Sequence, residues 1–373
     1  MKKIEGTKRD SRYPFVDALS MSSGDGDNSY ATNSLLQKRV LSKAKPVLIK
    51  NTKEMIINLS FPECIRVADL GCASGENTFL TMSEIVNTIN LSCQQWNQKP
   101  QEIDCCLNDL PDNDFNTTFK LIPFFKKRVN RKGSYFVSAV PGSFYSRLFP
   151  RNSPHFVYSS YSLHWLSKTT IIRVPQGLEK NTSSVYITTS SLHSAYESYL
   201  NQFQRDFATF LRMRSEEMVC NGRMVLTFIG RKTLDDPLYR DCCHFWTLLS
   251  ESMRDIVFEG IVSASKVDSF NMPFFDPSKE EVKEVTENEG SFEIDDLEIH
   301  GFDLGQSGSN HKECKAGQKE AKCIRAVSES MLVAHFGDDI IDALFNKFAY
   351  HASQHVGCSS KTTVTLVVSL IIK

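Results

Sequence analysis

The sequence predicts an α/β fold built on a mostly parallel sheet, and three observations carry that expectation. Short apolar runs rich in β-branched residues alternate with amphipathic segments of helical period. The first run ends at Asp69-Leu70 and enters a Gly-x-x-x-Gly turn, Gly71-Cys72-Ala73-Ser74-Gly75. The intervals between runs leave room for helical crossovers, as a parallel sheet requires.

Residues 1–28 are polar, end in Ser22-Ser23-Gly24-Asp25-Gly26-Asp27-Asn28, and read as a flexible lead-in. Apolar groups at helical spacing predict a helix over 34–58, capped by Asn33 or Ser34. A buried strand over 65–70 follows. A helix over 78–96 then places Phe79, Met82, Ile85, Val86 and Ile89 on one face. Strands at 103–107 and 135–140 end at Asn108-Asp109-Leu110-Pro111 and Pro141-Gly142-Ser143. In the helix over 194–219, Ser194 and Glu197 have capping-box spacing, and Tyr196, Leu200, Phe203, Phe207, Phe210 and Leu211 form the apolar stripe. Asn221-Gly222 stops it, and strands at 224–229 and 363–371 complete the sheet. Non-alternating aromatics over 232–275 suggest a helical insertion. The acidic stretch 279–298 reads as a solvated face, and 305–319 as a polar loop. Residues 29–373 are expected to form one unit, with 29–231 and 360–373 mainly core and 232–359 mainly cap and insertions.

Composition bounds the function. Lys plus Arg total 43 against 44 Asp plus Glu, so no cationic surplus exists for a polyphosphate, and nucleic acid is disfavoured. The 25 Phe and 11 Tyr fit either a large core or a pocket for a flat apolar ligand. Eleven Cys include the neighbours Cys105-Cys106 and Cys242-Cys243 but no Cys-x-x-Cys, which removes zinc-ribbon and thioredoxin-type sites. Reduced core thiols in a cytoplasmic protein are expected. The polar N-terminus lacks the apolar core of a signal peptide, and the run near Val364 is too short to span a bilayer, so no membrane partner is expected.

The glycine turn carries the first chemistry. Glycines let backbone N–H groups approach a ligand, and the helix that follows adds positive potential. A phosphate-cradling loop needs Gly-Lys-Ser/Thr, and a dinucleotide fold prefers Gly-x-Gly-x-x-Gly; neither occurs here. A nucleoside without phosphate remains, and S-adenosylmethionine fits. Asp109 ends the second strand, where ribose hydroxyls need an acid, and Asp69 is near the first turn, where an ammonium needs an acceptor. The alternative is an ordinary strand-to-helix turn with two surface carboxylates. A second cluster, Pro141 to Asn152 and then Ser159 to Leu166, gathers aromatics, hydroxyls and His164 around Trp165, whose indole N–H needs a partner when buried.

The motifs Ser29-Tyr30, Asn33-Ser34, Ala68-Asp69-Leu70-Gly71-Cys72, Leu107-Asn108-Asp109-Leu110-Pro111, Asn113-Asp114-Phe115-Asn116 and Pro141-Gly142-Ser143-Phe144-Tyr145 are specific in combination. Together they resemble the plant SABATH methyltransferases, above all the benzoate/salicylate carboxyl methyltransferases, from Met21 to the C-terminus. The resemblance implies a Rossmann-like S-adenosylmethionine-dependent methyltransferase sheet with a helical cap. It implies a carboxyl methyltransferase that turns a small aromatic acid, benzoate or salicylate, into its volatile methyl ester, and a homodimer is expected.

By the same resemblance, Tyr30, Ser34, Asp69, Asn77, Asp109, Leu110, Ser143 and Phe144 contact the cofactor. Gln37 and Trp165 match the two donors to the substrate carboxylate. Tyr161, His164, Phe245, Trp246, Ile324 and Val327 match the walls around its ring. Asn181, Asp268, Phe270 and Asn271 match a magnesium cluster of some relatives, with a hydrogen-bonded loop as the alternative. The chain departs from the family at Met21-Ser22-Ser23-Gly24, where Met-Lys-Gly-Gly is usual, so a cationic contact to the cofactor is absent there or supplied elsewhere. His164 stands where salicylate-preferring members often carry Met, and a family Phe is replaced around Thr363.

A benzoate-type acid is already ionised at neutral pH, so no general base is needed. Catalysis then rests on proximity and alignment in an apolar box. Neutral donors suit a carboxylate whose charge disappears as the ester forms, and His164 is expected as a wall or weak donor. The competing expectations are another acid such as jasmonate, a ring nitrogen of a purine or nicotinate, and a relative that binds without turnover.

Overall fold

The computed structural model describes residues 19–99, 101–129, 133–167, 184–187, 191, 193–232, 244–303, 313–354 and 362–373. In chain order the strands are Cys64–Leu70 (β1), Glu102–Asp109 (β2), Ser134–Pro141 (β3), Phe156–Ser160 (β4), Arg223–Gly230 (β5), Phe292–Asp303 (β6) and Thr362–Ile372 (β7). They form one sheet ordered β3-β2-β1-β4-β5-β7-β6. Strands β1 to β5 are parallel, and β7 runs antiparallel to both β5 and β6.

Both faces of this sheet are covered, which is why its central strands read as continuous apolar runs. Successive side chains alternate between the faces. Ile65 and Val67 of β1 enter a core with Phe79, Met82 and Ile85 of the helix Asn77–Gln95. Ala68 and Leu70 enter the opposite core with Phe203, Phe207 and Phe210 of the helix His193–Glu217. The neighbours Cys105 and Cys106 divide the same way and are free thiols. The chain builds β1, β2 and β3 outward on one side, then returns to place β4 on the other side of β1. That reversal opens a crevice beyond the carboxyl ends of β1 and β4, where open α/β sheets bind ligands.

Several local expectations change. The stretch 279–298 is not simply a solvated face: Val282 and Val285 of the helix Lys279–Glu289 are buried, and most of β6 follows. As an edge strand, β6 is interrupted by a register shift between Ile294 and Asp296, which blunts an exposed edge, and its Asp295 pairs with Lys50 and with Arg223 of β5. The Ser194/Glu197 spacing is not a cap, because the helix already starts at His193. The reciprocal capping box forms instead at Ser278 and Glu281, opening Lys279–Glu289. Ser34 caps Leu35–Asn58 without a side-chain bond, and Ser29 accepts from Thr32 N–H to cap the short helix Tyr30–Asn33.

The polar stretch 305–319 is not all loop: the helix Glu313–Phe336 begins inside it, and 304–312 lie outside the described residues. Within the lead-in, Ser22 N–H donates to the Ala326 carbonyl and Gly24 N–H to Asp114 Oδ2, both at 2.9 Å, tying the segment to the cap and the core. Among the described residues no helix is long and apolar enough to cross a membrane.

Candidate active site

Gly71 leaves β1 with φ +77°, and a Cβ there would stand 2.2 Å from Ser162 Oγ. Gly75, at φ +104°, lies so close to the helix Tyr30–Asn33 that its Cβ would be 2.9 Å from Ala31 Cα. Both positions need glycine for conformation and for close approach. The turn is stitched to β2. Gly71 and Cys72 N–H both donate to the Asn108 carbonyl at 2.9 Å. Asp109 Oδ2 accepts from Ala73 N–H at 2.7 Å and Oδ1 from Leu110 N–H at 2.8 Å.

The two acids stand together, Asp69 buried and Asp109 half-buried. Desolvation pushes the Asp109 carboxyl up to about 6, against the two backbone bonds that favour its ionised form. Asp69 is pushed up to about 7 by desolvation, opposed by a 2.6 Å bond from the Thr78 hydroxyl and reinforced by the charge of Asp109. Burial raises the Tyr30 phenol, and then Asp109 and Asp69 raise it further, which sets all three side chains in one neighbourhood. Asn77 joins them: its Nδ2 donates to Ser34 Oγ at 2.9 Å, which is why that hydroxyl caps no helix. Desolvated carboxylates beside a glycine turn form an end that a cation with ribose hydroxyls would stabilise.

A cavity of about 250 Å³ runs from this end into the cap. Tyr30, Asp109, Leu110, Ser143 and Phe144 line it, whereas Ser34, Asp69 and Asn77 stand behind its wall. Its other end is aromatic. After β4 the segment Tyr161–Leu166 pairs with 273–275: Trp165 and Phe274 form a β-bridge, Leu166 N–H donates to the Pro273 carbonyl, and Phe275 N–H to the His164 carbonyl. Ring centroids lie 4.8 Å apart for His164 and Phe274, 5.6 Å for Trp165 and Phe274, and 6.2 Å for Trp165 and Trp246. Phe245 and Trp246 open the helix His244–Phe258, and Ile324 and Val327 lie one turn apart on Glu313–Phe336; all four line the cavity. Tyr161 lines it too, with its hydroxyl bonded to Thr365 Oγ1 at 2.5 Å. Thr363 is buried off the wall, so Thr365 is the β7 residue that meets the pocket aromatics.

His164 is buried, and desolvation pushes it down to about 3, with Asp276 opposing. Ile229 N–H approaches its Nδ1 at 3.4 Å, which assigns the proton to Nε2. A neutral imidazole this hard to protonate is a poor base. Gln37 and Trp165 both line the cavity, and among the described residues neither the Gln37 amide nor the Trp165 indole N–H is hydrogen-bonded. Two residues that carry neutral donors thus line the cavity, Gln37 from the helix Leu35–Asn58 and Trp165 from the segment after β4.

Residues that sequence reasoning left out also line the wall. Leu19 and Met21 come from the supposed lead-in, Phe274 from the insertion and Cys323 from Glu313–Phe336. Phe270-x-x-x-Phe274-Phe275 was the one signal for Phe274; Leu19 and Cys323 carried none.

Of the four residues matched to a magnesium cluster, the structure describes Asp268, Phe270 and Asn271. Asn181 lies outside the described residues. Asp268 ends the helix Ala264–Asp268, the Phe270 ring packs 5.3 Å from that of Phe336, and Asn271 is buried with an unpartnered Nδ2. Among the described residues no three His, Cys, Asp or Glu converge.

The family described as SAM dependent carboxyl methyltransferase matches residues 16–373. An Arabidopsis thaliana salicylate/benzoate carboxyl methyltransferase is 64% identical over 370 residues, covering 99% of this chain and 96% of that one. A Petunia hybrida S-adenosyl-L-methionine:benzoic acid/salicylic acid carboxyl methyltransferase is 40% identical over 363 residues, covering 95% and 98%. The solved structure of a loganic acid methyltransferase with SAH superposes with a TM-score of 0.84 at 32% identity, covering 95% of this chain and 98% of that one. The motifs, the switch-point cavity and these matches over nearly the whole length agree: the chain belongs to the SABATH family of S-adenosylmethionine-dependent carboxyl methyltransferases.

Proposed function

We propose that the chain methylates the carboxylate of a small aromatic acid, benzoate or salicylate, to its methyl ester. The observation that carries this reading is the joined cavity: an acidic glycine turn at one end, and at the other an aromatic box with Gln37 and Trp165 as neutral donors. The 64% identity to a salicylate/benzoate enzyme supports the same acids.

Bound S-adenosylmethionine supplies an electrophilic methyl group, and the chain's residues do the positioning. Tyr30, Asp109, Leu110, Ser143 and Phe144 are assigned to hold it from the cavity wall, and Ser34, Asp69 and Asn77 support that wall from behind. Gln37 and the Trp165 indole grip the acid's carboxylate from two sides. Tyr161, His164, Phe245, Trp246, Ile324 and Val327 enclose its ring and exclude water. No residue removes a proton, since the acid arrives ionised. The donors are uncharged, so they orient the carboxylate while stabilising its charge, which disappears as the ester forms, less than a cation would.

Labelled S-adenosylmethionine tests this against a panel of benzoate, salicylate, jasmonate and a pyridine carboxylate. Esters of benzoate or salicylate formed in preference to the others are expected. Label transferred only to jasmonate, or to a ring nitrogen, would reassign the substrate.

A further inference from the structure

The helix His193–Glu217 reads in sequence as a core helix, yet it also carries fully buried charge. Arg214 and Glu217 are both 0% exposed, and Arg214 Nε lies 2.8 Å from Glu217 Oε2. The rest of the pair is spent on the loop after β3. Arg214 Nη1 donates to the Phe144 carbonyl at 3.0 Å and Nη2 to the Ser146 carbonyl at 2.8 Å. Glu217 Oε1 accepts from Leu148 N–H at 2.5 Å and from Phe149 N–H at 3.0 Å. A buried ion pair is often no more stabilising than apolar residues of the same volume. What it supplies here is a fixed geometry for a loop with no regular structure.

That loop touches both halves of the cavity. Phe144 and Tyr145 line it, with ring centroids 4.7 Å apart. The Tyr145 hydroxyl then donates to the Trp165 carbonyl at 2.8 Å. A second buried acid of the same helix, Asp206, accepts from Ser167 N–H at 2.8 Å, just beyond Trp165. One helix thus braces the loop on the cofactor side and the loop on the substrate side, and Tyr145 joins the two.

We propose that Arg214 and Glu217 are positioning residues for methyl transfer: they fix the backbone of residues 144–149 and, through Tyr145, set Trp165 relative to the glycine turn. This deepens the carboxyl methyl transfer reading above and rests on it.

Two variants test the proposal through kcat, KM for benzoate, the Kd of S-adenosylhomocysteine and the thermal midpoint. In Arg214→Lys the charge stays, but one ammonium cannot hold both carbonyls in a fixed fork. It is expected to weaken S-adenosylhomocysteine binding and lower kcat, each by about tenfold or more, well below the midpoint. Tyr145→Phe leaves the ion pair intact. It is expected to lower kcat by about fivefold to tenfold with the S-adenosylhomocysteine Kd within about twofold of wild type. A lower midpoint with wild-type kcat and Kd in Arg214→Lys would assign the pair to stability alone and overturn the proposal. If Arg214→Lys does not fold, unchanged kcat and KM in Tyr145→Phe would overturn it. Should the wild-type protein esterify no acid, the functional reading fails separately, while the Kd of Arg214→Lys still tests the fixing of the loop.

Discussion

Asp109 Oδ2 accepts the Ala73 N–H at 2.7 Å, so the acid at the end of β2 holds the glycine turn that leaves β1. The same carboxyl is desolvated and pushed up to about 6, with Asp69 beside it pushed up to about 7. Raised carboxyls are protonated in the folded protein over a range where the unfolded chain has already ionised, from the ordinary 3.8 upward. Their contribution to the stability of the ligand-free protein is therefore present below about 3.8 and lost as pH rises through about 6 to 7. A cationic ligand favours the ionised form, so the affinity for S-adenosylmethionine should rise with pH over that window, with protons released on binding. Calorimetry in buffers of different ionisation enthalpy measures both. An affinity independent of pH there would remove the two acids from cofactor binding.

His164, pushed down to about 3, should contribute no limb near neutrality to the pH profile of kcat. The profile for benzoate is expected to be flat across the ordinary histidine range, and the same in His164→Met. A kcat that rises with pH through the usual histidine value, with that acidic limb lost in the variant, would reinstate a general base.

The same variant should also raise the ratio of salicylate to benzoate turnover, measured as kcat/KM. His164 packs 4.8 Å from Phe274 and lines the cavity, so a flexible thioether there changes the space open to the proposed substrate. An unchanged ratio would take His164 out of specificity.

Gln37→Ala and Trp165→Phe each remove one neutral donor from the cavity. A hydrogen bond to a charged group is worth about 1.5–3 kcal/mol, so kcat/KM for the acid should fall roughly tenfold to a hundredfold in each. S-adenosylhomocysteine binding should stay within about twofold, because both donors are assigned to the acid rather than to the cofactor. A cofactor affinity that fell in parallel would move the donors to the wrong ligand.

Gly71→Ala places a Cβ 2.2 Å from Ser162 Oγ at φ +77°. The left-handed backbone alone costs about 1–2 kcal/mol, and the clash adds to it. A lower thermal midpoint and weakened cofactor binding are expected; wild-type values for both would mean that the turn relaxes freely.

The sheet was legible because strands buried on both faces read as apolar runs, as β1, β5 and β7 do, while β3, an edge strand with no buried residue, still offered the run 135–140. β4 has only five residues and merges with the polar segment after it, so its pattern is too short to stand out. β6 was hidden by its acids, which interrupt the apolar pattern and of which Asp295 is paired with Arg223 of β5. The glycine turn and its acids were readable because their chemistry is local in sequence. Arg214 and Glu217 were not, since helical spacing shows only that they share a face. That this face meets a loop some seventy residues upstream is a tertiary fact. Ser34 shows the same limit: it stands at the N-cap that the sequence offered, yet its hydroxyl accepts from Asn77 instead of from the helix.

The most direct test of carboxyl methyl transfer by positioning is one turnover assay. The purified chain is incubated with methyl-labelled S-adenosylmethionine and benzoate, and the product is identified by mass. Methyl benzoate accumulating one for one with S-adenosylhomocysteine is the expected result. A folded protein that binds S-adenosylhomocysteine yet yields no ester from benzoate or salicylate would contradict it.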